Sequence, residues 1–151
     1  MSNYNLEKIL PHDYPMLLLD DIVSIDIEHL QLTSTFTINS KKLFFDKTNN
    51  GVSSLVGLEF MAQTIGCYAY FRRQQNKPQI GLLLGTRLFN NAIDYFKNGE
   101  TYTVKVHEVF TDSEIVAFDC LIYDKNNEEI ESATINAYQS DNIERLLVNN
   151  G

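Results

Sequence analysis

At 151 residues the chain is long enough for one domain with a substantial core, and 44% hydrophobic with 11% aromatic residues is the make-up of a soluble globular protein. Its 12 Lys and Arg stand against 20 Asp and Glu, a net charge of -8 that argues against nucleic acid or an anionic membrane surface as the main partner. Metal-spaced His/Cys clusters, phosphate-binding glycine loops and GxSxG nucleophiles are all missing, so neither a metal nor a cofactor is expected.

In chain order, "PMLLLDDIVSID" (15–26) and "LQLTSTFTI" (30–38) are apolar or β-branched runs joined by a polar step, which predicts a hairpin. "NSKKLFFDKTNNG" (39–51) reads as a loop closed by the Asn50-Gly51 turn signal. Ser53 or Ser54 then caps a helix running to about Gln75; Arg72 and Arg73 suit its negative end, and Pro78 forbids continuation. Beyond it the period changes to two. Strands are predicted at 79–89, 101–110, 114–124 and 129–140, with turns at Lys97–Gly99, Thr111–Ser113 and Lys125–Asn127. The tail from Asp141 is expected to fray or to dock weakly, and residues 1–151 read as a single domain.

Residues 1–10 lack the basic start and apolar run of a secretory signal, and Glu59, Gln63 and Thr64 interrupt the longest apolar stretch, so no spanning helix is expected. Cys67 and Cys120 sit in apolar surroundings without CxxC spacing and read as reduced core thiols of a cytoplasmic protein.

The helix "SSLVGLEFMAQTIGCYAYF" (53–71) is apolar on nearly every side, and about 22 residues of it would span roughly 33 Å. Such a helix is expected to be enclosed rather than laid on a surface. Six antiparallel strands curled around one long central helix is an α+β arrangement, the hot-dog fold. A flat sheet crossed by one helix would want a polar outer stripe, which this helix lacks before Arg72. Glu59 stands in the middle of the stretch, where an unpaired carboxylate would cost several kcal/mol to desolvate.

"LPHDYPMLLLDDIV" (10–23), "VGLEFMAQTIGCYA" (56–69) and the spacing of Phe96 and Gly99 resemble the 3-hydroxyacyl-(acyl-carrier-protein) dehydratases of fatty-acid synthesis. The likeness is closer to a branch assigned to aryl-polyene-type clusters, which shares "VGLEFMAQ" and "IGLLLGTR". It covers Leu10 to about Tyr138. It implies a hot-dog dimer, homomeric or with another hot-dog subunit, with sites at its interface, and acyl thioesters of carrier protein or coenzyme A as substrates. In that family the carboxylate of the "E-x-M-A-Q" stretch, here Glu59, binds or activates the hydroxyl or water opposite a histidine of the partner subunit. Backbone N–H groups at Ser54, Leu55 and Val56 match the family's oxyanion donors, which suits the aligned amides of a helix start. Gln63, one turn after Glu59, shares its helical face and is placed to fix the carboxylate.

One departure bears on the chemistry. The fatty-acid enzymes carry "H-F-P-G" before the helix, and its histidine is the general base. This chain has "FFDKTNNGVSS" (44–54) with no histidine. His12 and Asp46 are the candidate replacements. Each has a plainer reading: His12 as a tie within a tight turn, Asp46 as an Asx-turn residue. Glu59 itself could be a structural carboxylate paired with Arg or Lys. Arg72, Arg73, Lys77 and Arg87 read either as a patch for an acidic carrier or as a charged helix end, and His29 and His107, beside Glu28 and Glu108, as solvated. Three functions follow: a dehydratase, a non-catalytic subunit completing a relative's site, or a thioesterase. "LPHxxPMLLLD" favours the first two.

Overall fold

A computed structural model describes residues 4–9, 17–73, 80–112 and 115–139. The predicted hairpin is present as β1 (Asp21–Asp26) and β2 (Gln31–Thr37), paired in register from Asp26 opposite Gln31. The first strand is shorter than the apolar run suggested. Residues 17–20 run as irregular backbone into it, tied down where Lys42 Nζ donates to the Leu18 carbonyl (2.6 Å) and meets the Asp20 carboxylate (2.8 Å). The late strands are β7 (Thr101–Thr111), β8 (Ile115–Tyr123) and β9 (Glu129–Gln139), and β5 (Ile80–Asn91) pairs with β9. These six form one antiparallel sheet in the order β1-β2-β7-β8-β9-β5, so β1 and β5 are its edges.

The loop expected over 39–51 holds more structure than its polarity implied. β3 (Phe45–Asp46), β4 (Gly51–Ser53) and β6 (Tyr95–Lys97) make a second, three-stranded sheet. A Cβ at Gly51 would overlap the Phe96 carbonyl oxygen, so the close β4–β6 approach needs glycine there. Three of the predicted turns hold left-handed residues, Asn50 at φ 51°, Gly99 at φ 85° and Asn127 at φ 62°, and the turn predicted at Thr111–Ser113 runs outside the described residues. A four-residue helix, α1 (Leu6–Ile9), is too short to have shown a period.

The long helix begins as a 3₁₀ turn at Ser54–Val56 and continues as α2 (Gly57–Arg73). Its 17 residues, about 26 Å at 1.5 Å each, pack against β7, β2 and β8. Phe60 stacks on Phe36 of β2 with ring centroids 3.6 Å apart, and Phe96 and Tyr102 close the group. Thr64 holds Ser34 of β2 through their hydroxyls (2.8 Å). An antiparallel sheet on one central helix is the hot-dog architecture.

The helix is not enclosed on all sides, contrary to its sequence pattern. One sheet covers one side. Leu55 is 66% exposed, Glu59 is exposed, and Leu58, Ala62 and Gly66 are half-buried. Cys67 and Cys120 are free and buried, as expected; burial pushes the Cys67 thiol up to about 12 and raises Cys120 further. Neither should react with a water-soluble thiol reagent in the native state, and both should react once denaturant unfolds the chain. Rapid labelling of the native protein would contradict this placement. No described helix is long and apolar enough to cross a membrane.

Candidate active site

The start of α2 is fastened on both sides. Ser53 Oγ accepts from the Leu55 N–H (3.3 Å), capping the 3₁₀ turn, and the Ser54 N–H donates to the Asp94 carbonyl (2.9 Å). Asn91, at the end of β5, donates from Nδ2 to the buried Ser54 Oγ (2.5 Å). Two of the three amides singled out in the sequence, those of Ser54 and Leu55, therefore already have partners within the chain.

Glu59 lies two residues into α2 on the side away from the sheet, in line with Leu55 four residues earlier. The desolvated setting expected from its apolar neighbours is absent, because those neighbours turn toward β2 and β7 while Glu59 turns outward. Among the described residues no Lys or Arg pairs with it. The Gln63 Nε2 group approaches it, 3.5 Å from Oε1 and so weakly. Gln63 is buried at 2% exposure, and its Oε1 accepts from the Leu18 N–H (2.9 Å). One side chain thus ties the strap following "LPHDYPM" to the helix and reaches the carboxylate from below.

His12 lies outside the described residues. Asp46 sits in β3 and is taken up by its own turn: its carboxylate accepts from Asn49 Nδ2 (2.7 Å), the Thr48 N–H (2.9 Å) and the Asn49 N–H (3.3 Å). The Asn49 side-chain hydrogen bond leads in holding that carboxyl below its ordinary value, which disfavours proton uptake near neutrality. His29 is exposed and hydrogen-bonded to Asp26 (2.8 Å). His107 alternates with the buried Val106 and Glu108, which turns it to the outer face of β7.

Of the four basic residues singled out in the sequence, Arg72 cannot belong to a surface patch. Arg72 is 4% exposed, with Nε 3.5 Å from the buried Glu108 carboxylate, so it belongs to the interior. Arg87 is exposed, and Lys77 is outside the described residues.

Two buried acids went unnoticed in the sequence. Glu108 accepts from Tyr68 Oη (2.7 Å) and from Thr111 Oγ1. Glu131 of β9 is 1% exposed, both its oxygens lack hydrogen-bond partners among the described residues, and burial lifts its carboxyl to about 8. The two-residue period held the signal. Glu108 is in phase with Tyr102, Val104 and Val106, and Glu131 with Ala133, Ile135 and Ala137.

Compared with known proteins, residues 4–148 match the family model described as ApeP dehydratase. The chain belongs to the ApeP-like dehydratase family. A 3-hydroxyacyl-[acyl-carrier-protein] dehydratase, FabZ of Listeria welshimeri, is 32% identical over 83 residues, 53% of this chain and 56% of that protein. The ApeP-like chain thus spans about half the length of the curated relatives it matches. Among solved structures, the dehydratase heterocomplex ApeI:P from Xenorhabdus doucetiae is similar at TM-score 0.80 and 20% identity, over 98% of this chain and 99% of that one. The smu.793 protein of Streptococcus mutans, bound to acetyl CoA, is similar at TM-score 0.63 and 14% identity, over 80% of this chain and 87% of that one. At those identities the structures speak for the fold alone.

Proposed function

We propose that this chain removes water from a carrier-bound 3-hydroxyacyl thioester, with Glu59 as the proton donor to the departing hydroxyl. Membership of the ApeP-like family over residues 4–148, together with a helix carboxylate that is exposed and has no cationic partner among the described residues, supports the reading. A base takes the C2 proton, and the electron pair moves toward the thioester carbonyl. It then forms the C2–C3 double bond as the C3 oxygen leaves, taking a proton from Glu59 to become water. Each positioned proton transfer contributes about 10²–10⁴ in rate. Gln63 orients the carboxylate, and of the three amides singled out in the sequence that of Val56 is left for the thioester carbonyl, since those of Ser54 and Leu55 are engaged within the chain.

Among the described residues no side chain stands as the base, and His12 lies outside them. The 44–54 run has no histidine, Asp46 is engaged in its turn, and His29 and His107 are turned elsewhere. A site completed by a second hot-dog subunit fits this gap. The open stripe of α2 and the 12-residue edge strand β5, with Leu88 64% exposed, offer the surface for it. Joining β5 to another edge strand would remove an aggregation liability and cover the helix. A heterodimer whose other subunit brings the histidine is the arrangement we favour over a homodimer using His12. The ApeI:P complex is the precedent. We place the protein in the cytoplasm, in keeping with its two reduced thiols.

Mass spectrometry of 3-hydroxyacyl carrier protein decides. With a histidine-bearing hot-dog subunit present, the acyl chain should lose the mass of one water. Release of free acid would instead mean a thioesterase. The chain by itself should leave the substrate unchanged; if it dehydrates unaided, the base is its own and His12→Ala becomes the next variant to assay. Light scattering should show a dimer at micromolar concentration for the active species, and a persistent monomer would remove the shared-site mechanism.

A further inference from the structure

We propose that Glu131 is a positioning residue for the candidate site: its carboxyl group seats the first turn of α2 against the sheet through Gly57, two residues before Glu59. The inference rests on the dehydratase reading for its activity readouts and on geometry for the rest.

Gly57 has ordinary helical angles, φ -53° and ψ -34°, so its backbone has no need of glycine. Its neighbour does. A Cβ there would overlap Glu131 Oε1 and come within 2.8 Å of Cδ and 3.2 Å of Oε2. The carboxyl group therefore occupies the space of the missing side chain. From β9, opposite Ile122 of β8 and Asn91 of β5, Glu131 reaches the helix start that Asn91 fastens through Ser54. Sheet and helix meet at this corner by one polar tie and one polar wedge.

The wedge works as the neutral acid. Leaving an unpaired carboxylate in such a place costs more than a helix N-terminus returns to an anion. Desolvation wins, and burial alone accounts for the raised value of about 8. The surrounding groups do not alter this. Asp119 and Glu129 are exposed, Tyr123 alternates outward on β8, Arg87, Asp94 and Glu59 are exposed, and Cys120 points inward as a neutral thiol. None of them hydrogen-bonds to the Glu131 carboxyl group. While neutral, Glu131 leaves the positive end of α2 free for charge developing on a substrate oxygen. Once ionised, it would set a negative charge against that same turn.

The sign of the pH effect follows. Between the usual 4.5 and about 8 the native state keeps a proton that the unfolded state releases, so stability falls as pH rises across that window and is level above it. Glu131→Gln keeps the shape and cannot ionise. Its melting temperature should stay level where that of the wild type declines. In the assembled enzyme, turnover should match the wild type within about twofold near pH 6. Above about pH 8 the wild-type kcat should drop roughly tenfold per unit beyond whatever loss the Gln variant shows. Hydrogen exchange of amides 57–60, corrected for intrinsic rate, should quicken with pH in the wild type and not in Glu131→Gln.

Gly57→Ala supplies an arm that needs no activity. It should melt several degrees lower, and Gly57→Ala with Glu131→Ala should melt no lower than Glu131→Ala by itself. Identical melting and exchange profiles for wild type and Glu131→Gln, or a Gly57→Ala protein as stable as wild type, would overturn the proposal. If the wild type never dehydrates, the melting and exchange arms still test the wedge, and only the dehydratase reading fails.

Discussion

Glu59→Gln is expected to lose about 10²–10⁴ in turnover while melting within a few degrees of the wild type. The two readings of this carboxylate separate on that pair of measurements. A structural carboxylate would have a cationic partner, and neutralising one side of a buried pair costs about 3–5 kcal/mol. Glu59 is exposed, and what reaches it is Gln63 at 3.5 Å. Its removal therefore strands no buried charge. Glutamine keeps the shape and can still accept a hydrogen bond, but it has no proton to give a departing hydroxyl. Measured on one preparation of the assembled enzyme, a large loss of kcat with an unchanged melting curve is the expected pattern. A stable and fully active Glu59→Gln protein would falsify the acid role.

Sequence patterns revealed the parts of this fold governed by periodicity. Strands β2, β7, β8 and β9 alternate cleanly because one face is buried against α2 and the other is not, and the turns before β7 and before β9 use the left-handed residues Gly99 and Asn127. Three-residue strands such as β4 and β6 show no period. They exist because Gly51 lets two backbones approach, a tertiary cause invisible locally. Glu59 misled for a related reason. Apolar neighbours along a sequence do not bury a residue that the helix turns outward, and the stripe from Leu55 to Gly66 stays partly open in the single chain. The resemblance singled out Glu59 and Gln63 through a local motif. Glu108 and Glu131 belong to no such motif, and finding them required treating each strand as two faces.

Glu108→Ala should be strongly destabilising, costing about 3–5 kcal/mol and lowering the melting temperature by on the order of 10 °C. Arg72 is 4% exposed, and its Nε and Nη1 have no hydrogen-bond partner among the described residues, so Glu108 at 3.5 Å is what compensates its charge. Tyr68 adds to the dependence. Burial first, and then the carboxylate beside it, raise its hydroxyl well above the usual tyrosine range, so it stays protonated and donates to Glu108 at 2.7 Å. Removing the carboxylate strands a guanidinium, a phenol and the Thr111 hydroxyl together. Arg72→Met should be milder, because Glu108 keeps its two hydroxyl donors and a flexible apolar chain fills the volume. Combining Arg72→Met with Glu108→Leu should recover most of the loss, since a buried ion pair is often matched by well-fitting apolar residues. These four residues clamp the far end of α2 to β7, away from Glu59. The Arg72→Met, Glu108→Leu enzyme is therefore expected to keep its kcat at temperatures where it is folded. A Glu108→Ala protein melting within 2–3 °C of the wild type (about 1 kcal/mol at this chain length) would show that Arg72 had found another partner.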